Sequence, residues 1–137
     1  MKTFKIGSFM WNVLIAEDDS NNKKRLLDAL KDCAICIDVS NGQQAFDAYK
    51  DSLSKNTPFD FILLDVTMPK MDGFEVLKAI RREEENLTPP KKEAFVIMIT
   101  AYKDSLMEKY NMGWDDFITK PIDKEFLIKH MKRLIHS

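Results

Sequence analysis

Three consecutive acids, Glu17-Asp18-Asp19, follow directly on the apolar run Val13-Leu14-Ile15-Ala16. Another acid, Asp65, ends a second apolar run, Phe59 to Leu64. Thr100 ends a third, Phe95-Val96-Ile97-Met98-Ile99, and Lys120 follows a short fourth, Phe117-Ile118-Thr119. Carboxylates, a hydroxyl and an ammonium are the groups that handle a divalent cation and a phosphate. Mg²⁺ takes oxygen ligands in near-octahedral geometry and keeps several waters, so a few carboxylates plus a backbone carbonyl suffice. Clustered acids repel one another and raise at least one pKa unless a cation joins them. An Asp carboxylate can attack phosphorus to form an aspartyl phosphate. That transfer asks mainly for alignment and charge neutralisation, which Mg²⁺, a lysine and a hydroxyl supply.

Taken singly, each of these features has a plainer reading. An acidic run is more often a solvated loop or the negative charge at a helix N-terminus. Asp72-Gly73 alone marks a turn and a helix start, and Pro69 shapes the loop before it. Cys33 and Cys36 have CxxC spacing, but the pair leads out of a helix into a strand. A redox dithiol sits instead at a helix N-terminus, and a zinc site would want a second CxxC. Both cysteines therefore read as small buried hydrophobes. His130 and His136 lie in the last helical stretch, away from the candidate acids, and read as ordinary helix residues.

The elements that must position the chemistry follow from the hydrophobic pattern. Its period switches repeatedly between short apolar runs and helical spacing, which is the mark of alternating strands and helices. Leu26, Leu27, Leu30 and Cys33 make one helix face after Ser20; Ala45, Phe46, Tyr49 and Leu53 make the next after Asn41-Gly42. Phe74, Leu77 and Ile80 form a third, followed by a polar connection over Glu83-Glu84-Glu85 and Pro89-Pro90. A short fourth helix is expected around Ser105 to Asn111, stopped at Gly113, and a fifth carries Phe126, Leu127, Met131, Leu134 and Ile135. Five strands thus alternate with five helices. Uninterrupted apolar strands belong in parallel sheets covered on both faces, so the fold class is a doubly wound α/β domain. In such sheets ligands bind outside the carboxyl ends of the strands. Glu17, Asp18, Asp65, Thr100 and Lys120 all fall at those ends. Residues 1–11 precede the first strand as an N-terminal extension of unread role, and 12–137 form the domain.

These residues resemble the receiver domain of two-component response regulators. The matching segments are Leu14-Ile15-Ala16-Glu17-Asp18, Leu63 to Gly73, Ile99-Thr100-Ala101 and Phe117-Ile118-Thr119-Lys120-Pro121, in the family's order. The resemblance implies a flavodoxin-like strand order 2-1-3-4-5 and phosphorelay signalling. Asp65 would accept a phosphoryl group from a sensor histidine kinase or histidine phosphotransfer protein. Asp18 would bind Mg²⁺ directly, Glu17 would help, and Thr67 would give its backbone carbonyl, with Asp19 one position beyond the pair. Lys120 would pair with the phosphoryl oxygens and Thr100 would donate a hydrogen bond to them. Phe117 sits at the family's aromatic switch position, though a plain core role competes; Trp114 could be core or an exposed contact. The switched face would be that of the fourth helix, fifth strand and fifth helix. The stretch between Thr100 and Lys120 is about two residues shorter than is common in the family. Lys120-Pro121-Ile122 and Asp115-Asp116-Phe117 lean toward the receivers of hybrid kinases.

Composition and motifs weigh the alternatives. Lys plus Arg is 21 against 22 for Asp plus Glu, a balance that gives no reason for direct nucleic-acid or membrane binding. No apolar run has the length of a membrane helix or a secretory signal, so the chain reads as cytoplasmic. A Mg²⁺-dependent aspartyl-phosphate phosphatase would want an acid two positions after the nucleophile, where this chain has Thr67. A nucleotide-binding domain would want GxxxxGKS/T or GxGxxG, and both are absent from a chain with 4 glycines. A degenerate receiver would lack one of the matching residues, and none is missing. The expectation is therefore a phosphoacceptor signalling domain that assists its own phosphorylation and dephosphorylation, rather than an enzyme.

Overall fold

The structure is a computed structural model and describes residues 10–88, 93–101 and 113–136. Its strands are β1 (Trp11–Ala16), β2 (Ala34–Val39), β3 (Phe61–Asp65), β4 (Phe95–Thr100) and β5 (Asp116–Thr119). Its helices are α1 (Ser20–Leu30), α2 (Gly42–Ser54), α3 (Gly73–Glu84) and α4 (Lys124–Ile135). All pairings are parallel, in the order β2-β1-β3-β4-β5. The expected order is thus found. The helix expected around Ser105 to Asn111, and most of the shortened stretch between Thr100 and Lys120, lie outside the described residues. Four helices are therefore described where five were expected.

Two-residue alternation along each strand divides the core between the two faces of the sheet. Leu14, Ala16, Ile62, Leu64, Val96 and Met98 pack with Ala45 and Tyr49 of α2 and Val76, Leu77 and Ile80 of α3. Val13, Ile15, Leu63, Ile97 and Ile99 pack with Leu26, Ala29 and Leu30 of α1 and Leu127 and Met131 of α4. Each fully buried Leu or Ile contributes about 2 kcal/mol relative to exposure, and both faces carry several.

Caps set where the helices begin. Asp19 accepts from the N–H groups of Asn21 and Asn22, Asn41 from Gln44, and Asp123 from Glu125 and Phe126. Asp72 and Glu75 form a reciprocal capping box at the start of α3. The acid left outside the candidate metal pair, Asp19, is thus spent on starting α1.

Several boundaries differ from the sequence expectation: β3 opens at Phe61 rather than Phe59, and α1 ends at Leu30, short of Cys33. β1 opens at Trp11, inside the stretch read as extension, because Trp11 pairs with Ala34 and sets its ring edge-on against Phe61. Glu84, read as part of a polar connection, ends α3 and is buried, because Arg81 one turn earlier neutralises it.

Candidate phosphoryl-acceptor site

The strand register brings the chemistry together. Ala16 is level with Leu64, Asp65 with Ile99, and Thr100 with Thr119, so Glu17, Asp65, Thr100 and Lys120 emerge along one edge of the sheet. Glu17, Asp65 and Thr100 are buried, whereas Asp18 and Thr67 are exposed. Carboxylate oxygens of Glu17, Asp18 and Asp65 all lie within 4.8 Å of one another. The Lys120 ammonium stands 3.2 Å from Asp65 Oδ2 and 3.4 Å from Glu17 Oε1. A cavity of about 320 Å³ opens over these groups, lined by Asp18, Asp19, Asn22, Asp65, Thr67, Ala101 and Lys120.

Local geometry fixes the Asp65 carboxylate. Thr67 N–H donates to Asp65 Oδ1 at 3.2 Å, so one oxygen is held from the loop and the other from Lys120. The loop then folds back, with Gly73 N–H donating to Val66 O at 2.9 Å and Val66 N–H to Ile99 O at 2.9 Å. Gly73 is required by proximity: a Cβ there would lie 2.5 Å from the Asp65 carbonyl oxygen. The Pro69 carbonyl accepts from Met71 and Gly42, which gives Pro69 the loop-shaping role expected of it.

The charges are unbalanced. Burial, then the closeness of Asp65, pushes the Glu17 carboxyl up to about 7 from an ordinary 4.5. Burial alone would lower the Lys120 ammonium, but the adjacent Asp65 and Glu17 carboxylates overcome it and raise the group. Glu17 Oε1 is buried at ion-pair range of Lys120 without hydrogen-bond geometry, and no other donor among the described residues serves it. An orphaned buried carboxylate oxygen beside two further acids fits a hard divalent cation. The residues present therefore fit Mg²⁺.

The chain matches the family model for the response regulator receiver domain over residues 13–132. It is a receiver domain. It is 36% identical over 132 residues to hybrid signal transduction histidine kinase B of Dictyostelium discoideum, covering 88% of this chain and 6% of that protein. It is 32% identical over 130 residues to the probable transcriptional regulator ycf29 of Porphyra purpurea, covering 92% of this chain and 57% of that protein. This receiver domain thus spans only part of the length of either relative. Among solved structures it is similar to a chain of the CheX–CheY–BeF₃–Mg²⁺ complex of Borrelia burgdorferi, at TM-score 0.77, 31% identity, and coverage of 91% and 89% of the two chains. The family places it in two-component signalling, and its relatives include both hybrid kinases and regulators. Among the described residues no helix is long and apolar enough to cross a membrane.

The other residues singled out in the sequence resolve differently. Cys33 and Cys36 are free and half-buried; burial raises both thiols, Cys36 to about 11, which disfavours the reactive thiolate. Phe117 and Trp114 are both half-buried against the α2–α3 side of the core and meet edge-to-face. His130, read as an ordinary helix residue, pairs through Nδ1 with the Asp116 carboxylate of β5, which Arg133 also approaches at 3.4 Å. Nothing in a one-dimensional pattern signals that pair, because β5 and α4 meet only in the fold.

Proposed function

We propose that Asp65 accepts a phosphoryl group from a phosphohistidine on a sensor histidine kinase or histidine phosphotransfer protein. The observation that carries this reading is the carboxylate excess at the sheet edge. Carboxylate oxygens of Glu17, Asp18 and Asp65 lie within 4.8 Å of one another, and among the described residues Lys120 is in range while a buried Glu17 oxygen has no hydrogen-bond donor. A structural ion pair needs no such excess; an acceptor for a metal-assisted anion does.

In this reading Glu17, Asp18 and Asp65, with the Thr67 carbonyl, hold Mg²⁺, which when bound would offset the charge of the incoming phosphoryl group. Asp65 presents an oxygen to phosphorus. A new O–P bond forms while the bond to the donor's imidazole nitrogen breaks, and the nitrogen leaves with the electron pair. Lys120 moves from pairing Asp65 to pairing the phosphoryl oxygens, and the Thr100 hydroxyl donates to them. Phe117 responds to Thr100 and alters the face of β5 and α4 together with the preceding connection. The domain read from the sequence as 12–137, extended to Trp11 by the start of β1, acts as the signalling unit, in the cytoplasm. The receiver motifs before and after Phe117 support a hybrid-kinase origin.

Incubation with Mg²⁺ and acetyl phosphate, read by intact mass, tests the reading. One stable phosphoryl adduct is expected, absent in Asp65→Asn. Failure to gain any adduct from small donors, with spectra unmoved by beryllofluoride, would exclude it; sustained hydrolysis of many phosphate esters would favour a phosphatase.

A further inference from the structure

Trp114 sits between two residues that Arg81 holds. Arg81 Nε donates to the Gly113 carbonyl at 2.8 Å, and Arg81 Nη2 donates to the Asp115 carboxylate at 2.8 Å. Asp115 is fixed twice more to β4: its N–H donates to the Val96 carbonyl at 2.8 Å, and its carboxylate accepts from Val96 N–H at 2.8 Å. The backbone of Trp114 is thus pinned on both sides, with Gly113 supplying the left-handed φ of 110° that the approach requires.

The indole so anchored meets the Phe117 ring edge-to-face, at 5.3 Å between centroids and 83° between planes. Its Nε1–H is buried and finds no acceptor among the described residues. A buried donor without a partner is costly, so rearrangements that give it one are favoured. Phe117 lies three residues before Lys120, which touches Asp65, and its β5 neighbour Thr119 is level with Thr100. One short strand therefore joins this ring pair to the acceptor site.

We infer that Trp114 is a positioning residue for Phe117: anchored through Arg81, it sets the ring position that Phe117 takes and so couples phosphoryl load at Asp65 to the β5–α4 face. This rests on the phosphoacceptor reading above. Trp114 does not touch the reacting atoms. It acts through Phe117 alone, and an edge-to-face ring pair is worth roughly twofold to tenfold in an equilibrium.

The two tryptophans provide the test, since Trp11 packs against Phe61 on the other face of the sheet. With Mg²⁺ and beryllofluoride, the backbone amides of Asp65 and Thr100 and the Trp114 indole N–H should shift in ¹H–¹⁵N spectra, while the Trp11 indole stays. Trp114→Ala should change the half-saturating beryllofluoride concentration about threefold or more, and Trp114→Phe, which keeps a ring edge, should stay within about twofold of the native chain. If Asp65 and Thr100 shift but the Trp114 indole does not, the inference falls while the acceptor reading stands. It also falls if Trp114→Ala saturates as the native chain does, or if Trp114→Phe departs as far as Trp114→Ala. Should Trp114→Ala not fold, the indole shift and the Trp114→Phe variant decide. If Asp65 and Thr100 stay still, both readings fall together.

Discussion

Two clusters of buried charge stand at opposite ends of this sheet, and they are built to different rules. At the amino-terminal edge, Arg81 donates to Glu84, to Asp115 and to the carbonyls of Ala94 and Gly113. Glu84 Oε2 accepts from Ala94 N–H and Asp115 Oδ2 from Val96 N–H, so both acids carry backbone donors as well as the guanidinium. At the carboxyl-terminal edge Glu17 and Asp65 share Lys120, Asp18 stands close by, and among the described residues a buried Glu17 oxygen has no hydrogen-bond donor. The first cluster is a satisfied clamp between α3 and the starts of β4 and β5. The second leaves a buried acceptor oxygen without a donor, which suits the cation proposed for it. The same residue types thus stand in one cluster where both acids have donors, and in another where a buried oxygen has none.

Swapping the outcomes of the two clusters tests that contrast. Asp65→Asn should abolish the phosphoryl adduct by intact mass, yet leave the urea midpoint equal to or above that of the native chain, because it relieves carboxylate repulsion. A clear loss of stability would show that Asp65 belongs to a structural pair after all. Arg81→Ala should do the reverse. It strands the buried Glu84 carboxylate and should cost about 3 kcal/mol or more in urea unfolding, while the folded fraction still takes up phosphoryl.

A glycine gives a middle case. Gly73→Ala places a Cβ against the Asp65 carbonyl and should cost about 1–3 kcal/mol as an overpacked contact, read by thermal unfolding. Because the strain falls on the acceptor's own backbone, the phosphorylation rate should drop as well; an unchanged rate would mean that the loop yields without moving Asp65.

Protonation offers a smaller effect. The Glu17 carboxyl sits near 7 in the fold against an ordinary 4.5. The folded chain thus holds a proton that the unfolded chain has released across that window. Without divalent cation, this group's contribution to stability is full below pH 4.5 and is lost as pH rises through about 7. Mg²⁺ needs the ionised form, so its addition should raise the thermal midpoint more at pH 7.5 than at pH 5. An equal gain at both would remove Glu17 from the metal set. Smallest of all, Cys36→Val should change stability by within about 0.5 kcal/mol and leave phosphoryl uptake unaltered, since the thiol acts only as a half-buried filler.

Much of the site was legible in the sequence because a parallel sheet imposes a rule. Apolar strands buried on both faces expose polar groups only at their ends, so Glu17, Asp65, Thr100 and Lys120 announced themselves by following apolar runs. Asp72 was legible as a helix start for a similar reason, since a cap is a local arrangement within four residues, whereas Asn41 was read as a turn and its capping of α2 was missed. Asp19 could be set aside from the metal pair, but not given its capping role. The clamp was not legible, and Glu84 was misplaced into a connection. Arg81 and Asp115 are 34 residues apart, and their meeting depends on how α3 is rotated on the sheet. The His130–Asp116 pair and the edge-to-face meeting of Trp114 with Phe117 were hidden for the same reason.

By itself, then, the sequence determined the alternating elements, the parallel sheet and the residues at its carboxyl edge, because these depend on hydrophobic period and on local caps. Only the tertiary structure decided which acid is buried and orphaned, which lysine contact competes for it, and which charges are spent on holding the molecule together. Those depend on desolvation and on distances between residues far apart in the chain, and neither quantity exists until the sheet has formed.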